Sequence, residues 1–388
     1  MFLTLFNITI LLFIAYSALI IFYRVGWINA PEFYVLLADK PPATKITIII
    51  PARNEAASIR DCLYSITAQA YPQNLFEIIV VDDNSTDHTA AIVRSFADKN
   101  VKLISLKEYV MEGQLIAYKK KAIELAIGQA SGDLIITTDA DCTVKKNWLN
   151  TIAQYYEKYN PAFIAAPVVY AGYADNDGLG KRFLKIFQSL DFISLQGITC
   201  ASVHQKIHSM CNGANLAYEK KAFFAVNGFK GIDTIASGDD MLLMYKIYSL
   251  YPNRIMFLKA KDAIVETKPV ESVKEFFNQR IRWASKANKY DDKRIFGVLL
   301  FVYTLNVYLA VLFCFGIWDI KFGILFLELL VAKTIVELIF LYPVAGFFSR
   351  RKLLWWFPFA QPFHILYTII AGWLGRFGSY EWKQRRVH

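Results

Sequence analysis

Lys45-Ile46-Thr47-Ile48-Ile49-Ile50-Pro51 is a β-branched run closed by proline, the pattern of a strand buried on both faces. Glu55 to Gln69 follows, with Ile59, Cys62, Leu63 and Ile66 at the spacing of one helix face. Phe76 to Val81 repeats the strand pattern and runs into Asp82-Asp83-Asn84-Ser85-Thr86-Asp87. The Ser85, Thr86 and Asp87 side chains of this polar turn suit the N-terminus of a following helix. Lys102 to Leu106 reads as a short third strand, Lys119 to Ala130 as a helix and Leu134 to Thr138 as a strand. Alternation of this kind predicts an α/β, Rossmann-like domain with a mainly parallel sheet, whose ligands bind outside the strands' carboxyl ends. Asp82-Asp83 and Asp139-Ala140-Asp141 both fall at such ends.

Two carboxylates one residue apart offer hard oxygen ligands to Mg²⁺ or Mn²⁺. Neither a GxxxxGKS/T loop nor a GxGxxG after a strand occurs, so nucleotide recognition, if it occurs, must use carboxylates and a cation instead of glycine-rich amides. Further along, Met210-Cys211-Asn212-Gly213-Ala214-Asn215-Leu216-Ala217 is small and polar, suited to close approach of a ligand. Ser237-Gly238-Asp239-Asp240 precedes a helical pattern over Met241 to Tyr248. A second such pattern spans Glu271 to Tyr290, with Val273, Phe276, Phe277, Ile281 and Ala284 as its apolar stripe. Gln279, Arg282, Trp283 and Lys286 fall on the opposite face, so this helix can lie along a membrane while facing a site. His204 and His208 stand four apart, but without a third ligand nearby they read as surface or packing residues.

The ends of the chain have another character. Of 388 residues 55% are hydrophobic, and the excess is concentrated in the terminal segments. Phe2 to Tyr23 carries no charge and lacks a basic n-region or cleavage site, so residues 1–24 read as a retained membrane anchor. Arg24 then places the 45–292 domain in the cytoplasm, with membrane helices again over 295–376. Ile295 to Trp318 is a clear span, and Phe322 to Phe348 holds Lys333 and Glu337 at pairing distance on one helix face. Leu353 to Leu374 is interrupted by Pro358 and Pro362. Three full C-terminal crossings would put Lys383, Arg385 and Arg386 outside, so the proline-broken segment is expected not to cross fully. The net charge of +10 sits largely beside apolar segments, which favours an anionic membrane surface over nucleic acid. Five scattered cysteines without CxxC point to reduced thiols in the cytoplasm and argue against a disulfide framework or structural zinc.

Taken in order, Pro51-Ala52-Arg53-Asn54-Glu55, Val81-Asp82-Asp83, the DxD at Asp139 to Asp141, Asp239-Asp240 and the QxxRW at Gln279 to Trp283 form a specific set. It resembles the membrane-integrated family 2 glycosyltransferases of GT-A fold over roughly Ile46 to Trp283. Closest in pattern are the cellulose, hyaluronan and poly-N-acetylglucosamine synthases and the ceramide glucosyltransferases. The resemblance implies an inverting, metal-dependent transferase of the bacterial inner membrane that uses a nucleotide-sugar donor, UDP-linked, and a lipid or glycan acceptor. Asp83, with Asp82, would face the base and ribose beside the loop of Pro51, Arg53, Asn54 and Glu55. Asp139 would contact the nucleotide–sugar region and Asp141 would ligate Mg²⁺ or Mn²⁺. Lys120 or Lys121 resembles the family's basic residue near the donor. Asp240 would be the general base, with Asp239 beside it, while Gln279, Arg282 and Trp283 would close over the diphosphate and acceptor. The chain departs from the polymerising synthases in reading Gly-Asp-Asp for Thr-Glu-Asp and in its smaller membrane part, which favours a lipid acceptor over a processive synthase. A non-catalytic export scaffold is the rival reading, and the presence of every expected carboxylate argues against it. QxxRW beside a span argues against a nucleotidyltransferase, and the large α/β segment against a transporter.

Overall fold

A computed structural model describes residues 2–35, 42–110, 117–172, 177–207, 210–235, 238–285, 293–377, 380–382 and 385–387. The chain divides into two compact units, one from Pro31–Ala171 and Ser209–Lys268, the other from Met1–Ala30, Gly172–His208 and Pro269–His388.

The first unit holds strands β1 (Ile46–Ala52), β2 (Phe76–Asp82), β3 (Val101–Ser105), β4 (Leu134–Thr137), β5 (Thr143–Val144), β6 (Phe163–Ala165), β7 (Val168–Tyr170), β8 (Leu216–Glu219), β9 (Ile255–Phe257) and β10 (Val265–Thr267). Seven form one sheet in the order β3-β2-β1-β4-β8-β6-β9, and three form a second, β5-β10-β7. The pairings from β3 to β4 are parallel, as the strand–helix alternation predicts, while β8 runs antiparallel between β4 and β6. Ile48, Ile49 and Ile50 are wholly buried, the result expected for a central strand covered on both faces. Pro51 does not close β1: the strand continues to Ala52. Pairing with β4 ends at Ile49↔Thr137, so the missing proline N–H falls beyond that ladder. The helix Ile59–Thr67 is shorter than expected but buries the four residues the spacing picks out, Ile59, Cys62, Leu63 and Ile66.

Because β1, β2 and β4 run parallel, Arg53, Asp83 and Asp139 all emerge at one edge of the sheet. Asn215 leads into β8 and turns inward: its Nδ2 donates to the carbonyls of Pro167 and Ala263, both at 2.8 Å, and its Oδ1 accepts from Trp148 Nε1 at 3.2 Å. Part of the Met210 to Ala217 segment therefore fastens the fold instead of facing a ligand.

The second unit is helical, with Phe2–Asn29, Leu179–His204, Val273–Ala284, Lys293–Gly316, Ile320–Phe347 and Phe357–Phe377 as its long elements. Leu3–Asn29 and Arg294–Gly316 are long and apolar enough to cross a membrane. Leu179–His204 belongs to this unit, whereas the sequence reading assigned it to the α/β domain. The reason is its largely buried surface, including Ile186, Leu190, Ile193, Cys200 and Val203. Gly197 lets it approach Ile320–Phe347 closely, since a Cβ there would come within 2.8 Å of Phe340 and Val344. Pro358 is the second residue of Phe357–Phe377, where a missing N–H costs little, and the helix also runs through Pro362. The helix Val273–Ala284 lies within the expected Glu271 to Tyr290, of which residues 286–290 lie outside the described residues. Its Phe277 and Ile281 pack against Tyr367 and Ala371, so part of the apolar stripe is used within the protein, while Val273 is exposed. His208, Lys286 and Lys383 lie outside the described residues.

Lys333 and Glu337 pair as their spacing predicts, Nζ to Oε1 at 2.8 Å. Gln361 bridges them, accepting from Lys333 Nζ at 2.7 Å and donating to Glu337 Oε2 at 2.5 Å, and the Tyr16 hydroxyl also donates to Glu337. Lys333→Met alone strands a buried carboxylate and should cost about 3–5 kcal/mol, whereas Lys333→Met with Glu337→Leu should regain most of that loss. Denaturant unfolding of the two variants in detergent checks the difference.

Candidate active site

Arg53 to Ala56 leaves β1 as a loop stitched to the turn after β2. Asn54 and Asn84 both have φ of 53°, a left-handed conformation that asparagine tolerates better than most residues. Asn54 N donates to Ser85 Oγ at 2.9 Å and Thr86 N to Asn54 Oδ1 at 2.8 Å. Glu55 N donates to Thr89 Oγ1 at 2.8 Å and Ala56 N to Asp87 Oδ2 at 3.0 Å. Ser85 and Thr86 thus act as loop fasteners instead of the expected helix caps; Asp87 does both jobs, since Thr89 N also donates to it. Burial opposes the Asp87 charge, but hydrogen bonds from Thr89 and the Ala56 amide outweigh it and hold the carboxyl below the usual range.

This stitching positions Arg53 beside Asp83. Its Nη1 donates to the Asp83 carbonyl at 3.0 Å and lies 3.6 Å from the carboxylate. Asp82 is 6% exposed, and its Oδ1 is buried with no hydrogen-bond partner. A buried carboxylate oxygen of this kind is costly unless a donor meets it.

Lys119 makes the central contact of the site. Its ammonium lies 2.7 Å from Asp139 Oδ1 and 3.2 Å from Asp239 Oδ2. Burial works against the ammonium charge, but Asp139 and Asp239, with Asp240 behind them, outweigh it and raise its pKa well above that of an ordinary lysine. The sequence reading chose Lys120 or Lys121, and the structure places both elsewhere. Lys120 donates to the carbonyls of Ile232 and Ile235, at 2.6 and 2.8 Å, and Lys121 pairs with Glu124 at 2.8 Å. Each helical residue advances about 100°, so three consecutive lysines face three directions, and the helix phase selects Lys119.

Asp141 follows β4 and accepts from Thr267 Oγ1 at 3.2 Å. Thr267 ends β10, which the small second sheet holds beside Thr143 and Val144. Nothing in the sequence singled out Thr267, because the link exists only through that pairing. Asp240 caps the helix Met241–Leu250, accepting from Met241 N at 2.7 Å. Its other oxygen accepts from Gly213 N at 3.2 Å. A Cβ on Gly213 would stand 3.4 Å from Lys119 Nζ and 3.5 Å from Asp239 Oδ2, so the Asn212–Ala214 segment closes against the charged cluster.

Asp82, Asp83, Asp139, Asp141, Asp239 and Asp240 all belong to the first unit, together with Pro51, Arg53, Asn54 and Glu55. Gln279, Arg282 and Trp283 belong to the second, on a helix opened by a Ser272–Glu275 capping box. Trp283 packs on Phe192, ring centroids 6.2 Å apart.

Among the described residues no group of three or more His, Cys, Asp or Glu side chains forms a cage for a metal ion. The donors that are present, the hard oxygens of Asp139 and Asp141 beside a threonine hydroxyl, fit a Mg²⁺-like ion that takes its other ligands from substrate phosphates and water.

A mixed, parallel-rich sheet with acidic residues at the strands' carboxyl ends defines a Rossmann-like class of α/β domain. Residues 47–223 match the family model described as Glycosyl transferase family 2. It is 28% identical over 267 residues to a probable glycosyltransferase, YdaM, of Bacillus subtilis (strain 168), covering 68% of this chain and 59% of the relative. It is 26% identical over 288 residues to an N-acetylglucosaminyltransferase of Rhizobium meliloti (strain 1021), covering 72% and 63%. The chain therefore spans about three-fifths of the length of these relatives. Among solved structures, a mannosyltransferase from Pyrobaculum calidifontis, in complex with GDP-Man and Mn²⁺, matches at a TM-score of 0.56 and 19% identity, covering 96% of this chain and 98% of that one. That likeness supports the GT-A-like fold, with apolar helices before and after the domain.

Lys119→Met leaves Asp139 and Asp239 without their shared counter-charge. Stability should fall by about 1–2 kcal/mol, less than for a fully buried pair because Asp139 is partly exposed. Added Mn²⁺ should raise the melting temperature of the variant more than that of the wild type, which thermal unfolding with and without the ion measures.

Proposed function

We propose that the protein is an inverting, metal-dependent glycosyltransferase. It moves a sugar from a UDP-linked donor to a hydroxyl of a membrane lipid or a growing glycan. The observation that carries the reading is the convergence of Asp139, Asp239 and Lys119, with Asp240 fixed by the Gly213 and Met241 amides, at the carboxyl edge of the sheet. The family 2 domain and relatives named as glycosyltransferases support it.

In this reading Asp82 and Asp83 meet the donor's base and ribose, and the unpartnered Asp82 oxygen is available to an N–H or O–H of the nucleoside. Arg53, held by Asp83, and the loop of Pro51, Asn54 and Glu55 wall the same region. Asp141, with Asp139, would hold Mg²⁺ or Mn²⁺, which when bound offsets charge on the departing diphosphate. The acceptor oxygen attacks the anomeric carbon as the bond to the UDP oxygen breaks on the opposite side, so configuration inverts. The acceptor proton passes to the Asp240 carboxylate. Two amides on that carboxylate fix its direction before substrate arrives. By resemblance, Gln279, Arg282 and Trp283 serve the leaving diphosphate and the acceptor, with Arg282 as fixed positive charge.

The helices Leu3–Asn29 and Arg294–Gly316 support a membrane location, and the basic residues beside the apolar segments support a cytoplasmic active site in a bacterial inner membrane.

The test is UDP release by purified protein in native-like lipid, across a panel of UDP-sugars with Mg²⁺ or Mn²⁺. Release with one sugar is expected from the wild type and should be lost in Asp141→Ala. Asp240→Asn should lower turnover by about 10²–10⁴-fold. Near-normal turnover in Asp240→Asn removes it as base, and equal release from wild type and Asp141→Ala rejects the cation role.

A further inference from the structure

Arg280 lies inside the QxxRW segment, in one of its two variable positions, yet it is 4% exposed. Its Nη1 donates to Gln279 Oε1 at 3.0 Å. Its guanidinium carbon stands 4.2 Å from the centroid of the Trp283 ring and 4.7 Å from that of Phe276. Nη2 makes an ion pair with Asp191 Oδ2 at 2.7 Å, and the Tyr367 hydroxyl donates to Asp191 Oδ1 at 2.5 Å. Phe192, next in the chain to Asp191, packs on the other partner, Trp283.

We propose that Arg280 is a positioning residue for transfer, anchored by Asp191 and Tyr367, that fixes the directions in which Gln279 and Trp283 present their side chains. The inference rests on the glycosyltransferase reading for what those two side chains serve. Its structural part stands on the contacts alone. A planar guanidinium can satisfy three demands at once: a hydrogen bond to the Gln279 oxygen, an ion pair with the Asp191 carboxylate and a face against the indole. An ammonium carries donors and charge but no planar face to lie against the indole while bonding in its own plane. Holding Oε1 also settles which end of the Gln279 amide Arg280 engages, so the NH₂ is the end turned away. A buried pair kept only for stability would be matched by apolar residues of similar volume, which would leave Gln279 and Trp283 to choose their own rotamers.

The experiment uses the full chain in native-like lipid. Arg280→Lys keeps the charge facing Asp191 and loses the planar group. With 5-fluorotryptophan incorporated, and the Trp283 signal assigned from Trp283→Phe, the ¹⁹F resonance of Trp283 should shift and broaden in Arg280→Lys; an unchanged resonance overturns the proposal. In the nucleotide-release assay kcat should fall about 10–100-fold while donor KM stays near its wild-type value, the pattern of misplacement rather than lost binding. Arg280→Lys should add less than about a twofold loss in a background carrying both Gln279→Ala and Trp283→Phe. Losses that multiply, or a lowered Tm with kcat of the folded protein intact, assign Arg280 a structural role only and reject the inference. If Arg280→Lys does not fold, Arg280→Gln with Asp191→Asn removes both charges and is read in the same two ways. Should the wild type release no nucleotide from any donor, the glycosyltransferase reading fails, and the ¹⁹F signal still decides whether Arg280 orients Trp283.

Discussion

Like charges gathered at one edge repel, and the position of Lys119 answers that repulsion. Parallel strands send their carboxyl ends the same way, which brings acidic residues from separate segments to a common edge. Asp139 arrives from β4, while Asp239 and Asp240 come from more than ninety residues later in the chain. A single ammonium between Asp139 and Asp239 makes that convergence tolerable without a bound ion. It also leaves Asp141 to a different partner, the Thr267 hydroxyl, so the two carboxylates of the DxD have distinct surroundings.

The α/β domain was largely legible because its strands are buried on both faces and so read as continuous apolar runs. Each run from β1 to β4 was found within two residues of its observed bounds. Pro51 misled the reading at the end of β1, because a proline is forbidden only where a ladder needs its N–H, and pairing with β4 has already ended there. The Lys333–Glu337 pair was legible from spacing, but Gln361 and Tyr16 were not, since their contacts cross between helices far apart in sequence.

At the proposed site, the sequence marks the carboxylates by local pattern but not the groups they contact. Strand ends and helix starts announce Asp82, Asp83, Asp139, Asp141 and Asp240 from local pattern. The choice of Lys119 over Lys120 depends on helix phase, and Thr267 and the Gly213 amide depend on tertiary pairing. Leu179–His204 was missed for a related reason. Lys181, Arg182, Lys185 and Asp191 interrupt its apolar pattern, yet Lys185 reaches Asp177 and Glu271, and Asp191 is buried against Arg280.

The helical unit is assembled from three separated stretches of chain, with the α/β unit threaded between them. During synthesis, Gly197 emerges well over a hundred residues before the Phe340 and Val344 side chains against which it packs. At about 5–20 residues per second, that separation is a wait of order ten seconds. Throughout it, the apolar faces of Phe2–Asn29 and Leu179–His204 lack their partner helix, while the parallel core from β1 to β4 already has all its strands. Order of emergence therefore favours an α/β core that consolidates first, with the helical unit closing around its earliest segments only when Ile320–Phe347 arrives.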